Sequence, residues 1–293
     1  MQFNREAFIH HAVQALQETE TQLPRDVTRA LANAAKAESD DRAKEQIWAI
    51  LENVRLAGAA GLPMCQDTGV PIFFVEIGRE ANIDFGLKEA LATAVQRATD
   101  AVPLRTDAVY PLTRVCCDEP LFDMICDVSE GDRLSVAVLV KGAGSENTSA
   151  LAMMEPLQDV WPFVLKTIWE SGGKPCPPII VEIGIGSTFD GCARLAKRTL
   201  LRSLEEEQSP FEAEILQQIN ELGIGPMGLG GDTTALRVFV EEAPCHTAML
   251  PVAVAIQCWA DRKVDSASSY NEESWLGSIV RHVNRATYPD IAS

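Results

Sequence analysis

The chain has 293 residues, 46% of them hydrophobic and 23% charged, enough for one large domain or two modest ones around a real core. Its 25 basic residues face 42 acidic ones, a net charge of −17 at pH 7, and with no Lys/Arg-rich run this argues against a nucleic-acid partner, because phosphate contacts need clustered positive charge. No apolar stretch approaches the roughly 20 residues that span a bilayer, and the N-terminus reads as an amphipathic helix with no signal-peptide core, so a cytoplasmic chain with no membrane partner is expected.

The first sixty residues read as helical. Phe8, Ala12, Val13 and Leu16 recur at helical spacing, Pro24 opens a second helix carrying Val27, Leu31 and Ala34, and Asp41 caps a third that stops near Gly58. A loop over 61–69 then precedes a strong strand signal, VPIFFVEI at 70–77. A helix is expected from Phe85 to about Asp100, and the Pro- and turn-rich stretch 102–127 shows no period. Further along, strands are expected at 134–140, 179–185, 235–241 and 252–256, with helices from about Glu155, from near Gly191 and over 212–222. No repeat or linker divides the chain. One domain is therefore expected over 1–293, with a helical part over about 1–60 and an α/β part over about 61–293. Its mixed sheets are flanked by helices, and its strand-end loops form a site.

Eight cysteines lie at 65, 116, 117, 126, 176, 192, 245 and 258, with no CxxC pair to suggest a zinc ribbon or a thioredoxin-like motif. In a reducing cytosol the remaining uses are apolar packing, a nucleophile, or metal ligands drawn from distant segments. Four segments interrupt otherwise apolar sequence with glycine and polar residues. In the first, Cys65, Gln66 and Asp67 stand side by side before a strand; a plain Asx turn made by Asp67 is the competing account. The second, KGAGSEN from Lys141 to Asn147, is a Gly-rich turn whose N–H groups can hold an anion, although neither a dinucleotide fingerprint nor a P-loop is present. Cys176, in the third, is held between prolines, which suits a ligand as well as it suits a strand entry. In the fourth, His246 beside Cys245 is followed twelve residues later by Cys258, and it is the one histidine of four set beside other candidate chemistry. Cys65, Cys176 and Cys258 each lie where a strand meets a loop, and three thiolates can hold three corners of a cubane iron–sulfur cluster.

These blocks, in order MCQDTG, PLRTDAVYPLTR, KGAGSEN, PCPP with IGIGSTFDG, GIGPMGLGGDTT and EAPCHTAMLPVAVAIQC, resemble the α subunit of the class I fumarase and L-tartrate dehydratase family of iron–sulfur hydro-lyases, with KGAGSEN and GLGGDTT nearer the fumarase branch. The resemblance implies a 4Fe–4S cluster on Cys65, Cys176 and Cys258. It implies substrate contacts from Gln66, Arg105, Gly142 and Gly144, a proton moved by Asp67, and a carboxylate contact from His246. The implied reaction is reversible hydration of fumarate to (S)-malate. Tartrate or a methylated fumarate is the alternative substrate, and a non-catalytic iron–sulfur sensor is the rival from another class. Two stretches depart from the family pattern: Val115–Pro120, where a KNTGxN-like run is usual, and GIGST in place of GIGGT. Cys116 and Cys117 are thus not expected as ligands, though an adjacent pair is prone to oxidation. Nothing after Lys263 resembles the family's β domain, so a separate β subunit is expected to bring the cationic groups for a C4 dicarboxylate, together with homodimerisation of the α subunit.

Overall fold

The computed structural model describes residues 3–105 and 108–265. Residues 266–293, counted within the expected single domain, lie outside them. Three helices open the fold: α1 (Arg5–Thr21), α2 (Arg25–Ala37) and α3 (Asp41–Ala60). The cap of α3 is Asp40 rather than the expected Asp41. Asp40 has the extended backbone that a cap needs, and its Oδ1 accepts from the Arg42 and Ala43 N–H groups at 3.0 Å. The helix also runs past Gly58 and stops at Gly61, whose left-handed φ of 63° closes it.

There follow β1 (Val70–Gly78), α4 (Leu87–Ala101), β2 (Asp123–Ser129), β3 (Leu134–Lys141), the single turn α5 (Ala143–Glu146) and β4 (Ala150–Met154). The remainder comprises α6 (Trp161–Ser171), β5 (Ile179–Gly186), α7 (Phe189–Thr199), α8 (Pro210–Asn220), β6 (Ala235–Ala243), β7 (Leu250–Gln257) and β8 (Arg262–Asp265). Strands β2, β4 and β8 were not expected. All three sit at sheet edges; β4 and β8 have only five and four residues, and no residue of the seven in β2 is fully buried, so no long buried apolar run marks them. The expected helix from Glu155 begins only at Trp161, with Pro162 in its first turn where the missing N–H costs nothing.

The strands form two mixed sheets, ordered β2-β1-β3-β8 and β4-β7-β5-β6. Helices α1 and α4 cover one face of the first, packing Phe8, Leu16 and Leu91 against Phe73 and Val138. On the second sheet, α6 and α8 cover the face that carries Val181, Val238 and Val254. Cys192 and Ala196 of α7 pack on Ala253 and Ala255, which alternation places on the opposite face. Helices α2 and α3 close a third core with Ile180, Phe239 and Trp259, and against its edge pack Cys65, Cys176 and Cys258. The α/β class with mixed sheets and a helical N-terminal segment is therefore observed.

Register decides where the loops gather. Val70 pairs with Lys141, Val140 with Arg262, and Ile180 with Gln257. The segments before β1 and β5 and those after β3 and β7 thus lie at matching strand ends. A fifth segment, 229–234, precedes β6, which runs parallel to β5. It is tied down by Glu38: this buried carboxylate accepts from the backbone N–H groups of Ser39 (3.1 Å), Asp40 (3.2 Å), Asp232 (2.8 Å) and Thr233 (3.0 Å). Glu38→Ala leaves the Asp40, Asp232 and Thr233 N–H groups without this acceptor, while Ser39 N–H keeps Asp232 Oδ2 at 3.0 Å, and is expected to destabilise the fold by about 3 kcal/mol, at about 1 kcal/mol per lost hydrogen bond. A denaturant titration checks this, and a midpoint equal to wild type would refute it.

Between the sheets lies a buried ionic group. Glu182 on β5 is 0% exposed, and neither carboxylate oxygen has a hydrogen-bond partner. Burial pushes its carboxyl well above the usual range, with Lys141 and Lys263 pulling it down and Asp261 and Glu146 pushing it up. The folded chain thus keeps a proton that the unfolded chain releases near pH 4.5. The stability linked to it is full below that pH and is lost as pH rises toward the folded-state value. Glu182→Gln, uncharged and of the same shape, is expected to flatten the decline in unfolding free energy between pH 5 and 8, by up to about 1.4 kcal/mol per pH unit. Denaturation midpoints at three pH values measure this; parallel wild-type and variant curves would sink it.

Candidate active site

The loop from Pro63 to Gly69 is pinned from two helices before it reaches β1. Met64 N–H donates to the Glu20 carbonyl of α1 at 3.0 Å, and Asn53 Nδ2 of α3 donates to the Met64 carbonyl at 2.7 Å. Cys65 is half-buried and Gln66 exposed. Asp67 makes the Asx turn, its Oδ1 accepting from Gly69 N–H at 3.0 Å, while its Oδ2 accepts from Gly144 N–H at 3.4 Å. The turn therefore aims the carboxylate across at KGAGSEN. Gly142 permits this approach, since a Cβ there would stand 3.1 Å from Asp67 Oδ2. Gly69 has φ 68°, and a Cβ on it would meet the Lys141 carbonyl at 2.7 Å.

The facing turn is equally constrained. Ser145 Oγ donates to the Gly142 carbonyl at 2.9 Å, and Gln257 Nε2 at the end of β7 donates to the Val140 carbonyl at 3.2 Å. Buried Lys141 donates to the Ile256 carbonyl and pairs with Glu146 at 3.5 Å. One set of polar bonds thus ties the turn to the strand that delivers Cys258.

Cys176 lies in the stretch before β5 with φ 56°, a left-handed backbone unusual for a side chain of any size and of the kind that gathers at functional sites. Its neighbours hold it there. Cys176 N–H donates to the Gly173 carbonyl at 3.1 Å, Trp259 N–H donates to the Cys176 carbonyl at 3.4 Å, and Met227 N–H donates to the Pro177 carbonyl at 2.8 Å. The Trp259 bond joins the Cys176 segment directly to the residue after Cys258.

The three thiols feel one another. Burial pushes Cys258 up to about 11, opposed by Arg262 and reinforced by Cys65 and Cys176. Burial also raises Cys176, with Cys65 and Asp67 adding to the effect. Among the described residues no three His, Cys, Asp or Glu side chains are set to grip a single metal ion. Beside Cys65 opens a cleft of about 390 Å³ lined by Asn53, Met64, Cys65, Gln66, Thr68 and Arg105, among others. Arg105 is anchored by its N–H, which donates to Thr68 Oγ1 at 3.0 Å.

Folding therefore brings Cys65, Cys176, Cys258, Asp67, Gly142 and Gly144 to one end of the sheets, with Gln66 and Arg105 in the adjoining cleft. His246 is elsewhere. It is exposed on the loop between β6 and β7, its Nδ1 accepting from Ala248 N–H at 3.1 Å. β7 separates it from Cys258, and eight extended residues span roughly 25 Å. Cys116 and Cys117 lie on a hairpin where Val109 bridges Cys116. The sequence reading missed the pair Glu20 and Arg262, both buried, with Nη1 to Oε2 at 2.6 Å. A signal existed: Glu20 falls four residues after Leu16, on the apolar face of α1.

Comparison with known proteins agrees with this architecture. The family described as fumarate hydratase (Fumerase) matches residues 9–267. A Methanocaldococcus jannaschii protein named putative L(+)-tartrate dehydratase subunit alpha is 47% identical over 267 residues, covering 86% of this chain and 94% of that one. A Geobacillus stearothermophilus protein named putative fumarate hydratase class I is 31% identical, covering 86% of this chain but 53% of its own length, so the present chain spans about half of it. The L(+)-tartrate dehydratase subunit alpha of Escherichia coli is 29% identical, with 83% and 84% covered. No helix among the described residues is long and apolar enough to cross a membrane. With its matched span running from α1 through β8, the chain belongs to the fumarate hydratase (Fumerase) family and is a hydro-lyase.

Proposed function

We propose that this chain is the α subunit of an iron–sulfur hydro-lyase that acts with a separate β subunit on a C4 dicarboxylate, reversibly hydrating fumarate to (S)-malate in the cytoplasm. The observation that carries the proposal is the gathering of Cys65, Cys176 and Cys258 with Asp67 at one end of two sheets. An all-thiol donor set at a half-buried edge fits a 4Fe–4S cluster, whose iron not bound by protein supplies a Lewis acid for the substrate hydroxyl.

The chain's own residues then divide the remaining work. Asp67, its carboxylate fixed by the Gly69 and Gly144 N–H groups, takes the proton from the carbon next to the departing hydroxyl and returns it in the reverse direction. Gln66 and Arg105 bind substrate carboxylate in the cleft, and Gly142 leaves room for the Asp67 carboxylate, since a Cβ there would stand 3.1 Å from its Oδ2. His246 stands roughly 25 Å of extended strand from Cys258. Its carboxylate contact therefore requires a second copy of the chain, and we propose homodimerisation with it. The net charge of −17 repels a dianion, which supports a β subunit that brings arginine and lysine. The relatives named subunit alpha, and the longer single-chain relative, support the same division.

A second reading, L(+)-tartrate dehydration, is favoured by the name of the relative at 47% identity. An anaerobic assay of the reconstituted chain with a β subunit, against fumarate, mesaconate and L(+)-tartrate, decides between them. Fumarate is expected to give the highest kcat/KM, and a tartrate rate ten times higher would reverse the assignment. Full fumarate turnover by this chain alone would remove the β subunit from the proposal. A colourless anaerobic preparation would remove the cluster.

A further inference from the structure

Arg262 is the largest fully buried side chain among the described residues, and the cluster assignment by itself gives it no task. It opens β8 four residues after Cys258, and pairing of β8 with β3 sets it opposite Val140, beside the turn that faces Asp67. Its guanidinium reaches two elements at once. Nη1 donates to Glu20 Oε2 at 2.6 Å, and Nη2 donates to the Asp67 backbone carbonyl at 3.0 Å. Glu20 grips the same loop from its other end, since its own carbonyl accepts the Met64 N–H at 3.0 Å. Between them, these two residues hold both flanks of the Met64–Asp67 segment, which carries Cys65 and Gln66.

The electrostatics run in the same direction. Arg262 follows Cys258 by four residues, and its Nη2 rests on the carbonyl of Asp67, two residues after Cys65. Gathering three thiolates adds negative charge to a region that already holds Asp67, in a chain of net charge −17. Metal binding needs those thiolates, because a protonated thiol does not ligate. A buried, permanently charged group behind the site offsets that cost without occupying a ligand position. Arginine suits the task better than lysine, because its planar fork can hold a carboxylate and a carbonyl together.

We infer that Arg262, oriented by Glu20, is a positioning residue that supplies the counter-charge for the Cys65 and Cys258 thiolates and holds the Asp67 loop in its working register. This rests on the iron–sulfur assignment above and extends it to two residues that touch neither the substrate nor the metal.

The test uses the full chain, reconstituted anaerobically with ferric iron, a thiol reductant and sulfide, with iron and sulfide content and visible absorbance as readouts beside kcat and KM measured with the β subunit. Arg262→Gln is expected to lower the content at least fivefold. Arg262→Lys should restore content to within twofold of wild type, since the charge returns, yet leave kcat at least tenfold low, since one ammonium cannot hold both partners. Glu20→Gln should load normally. The double variant E20Q/R262M removes the buried pair without leaving a lone charge, a replacement that folds are known to tolerate. It is expected to melt cooperatively and still load poorly. Wild-type content in a cooperatively folded E20Q/R262M, or content in R262K as low as in R262Q, would overturn the inference. A wild-type chain that takes up no cluster would instead overturn the assignment on which it rests.

Discussion

Cys176→Ser is expected to leave the chain folded and nearly empty of iron and sulfide. Serine differs from cysteine by one atom, and Cys176 is only half-buried, so little packing is lost. What disappears is the ligand: a thiolate binds iron, whereas a hydroxyl neither ionises near neutral pH nor offers a soft donor. The position is also poorly replaceable, because the left-handed backbone at Cys176 and the bonds from Trp259 and Met227 to its segment fix where the side chain starts. Iron and sulfide per chain should fall below about a tenth of wild type, the brown colour should vanish, and turnover should drop by about 10³ or more, the scale on which loss of a metal-supplied step is felt. Cys126→Ser serves as the control, since Cys126 is exposed on the edge strand β2 and should load in full. Equal content in the two variants would end the claim that Cys176 is a ligand.

Asp67→Asn is expected to give the opposite pattern, with full cluster content and almost no turnover. Asparagine keeps the Oδ1 that accepts from Gly69 N–H, so the Asx turn and the path of the loop survive. It loses the basic oxygen that faces Gly144 N–H, and with it the acceptor for the substrate proton. General-base catalysis contributes about 10²–10⁴ in rate, so kcat should fall by about that factor while KM changes little. Iron content, absorbance and kcat measured on one preparation check this. A variant retaining more than a tenth of wild-type kcat would show that Asp67 is not the base. The pattern also separates an enzyme from a redox sensor, because a sensor with its three thiols intact has no reason to depend on Asp67.

The two variants dissect a site that was only partly legible. The long strands β1, β3, β5, β6 and β7 could be read because each carries a run of apolar residues bounded by glycine or proline, and the first three helices because their apolar residues recur at helical spacing. β2, β4 and β8 could not be read, since an edge strand half-exposed to solvent need not be apolar. Asp67 shows two descriptions holding together: the Asx turn, weighed as a bland alternative to chemistry, is the device that orients the carboxylate. His246 shows the reverse. Twelve residues from Cys258 looks close along the chain, but the eight residues of β7 within that interval are extended strand, which places the two at opposite ends of β7.

By itself the sequence determined the α/β class with its helical start, because hydrophobic spacing is a property of the chain, and the resemblance carried by the six ordered blocks pointed to the family and its hydro-lyase chemistry. Only the tertiary structure decided which of those blocks share a site. Strand register sets the loops before β1 and β5 against those after β3 and β7, a consequence of pairings between residues as far apart as Val70 and Lys141 that no local pattern encodes. It also revealed the Glu20–Arg262 pair, 242 residues apart in sequence, behind the loop that carries Cys65 and Asp67. The composition pointed to an acidic chain; the fold shows where that chain buries one of its 25 basic residues.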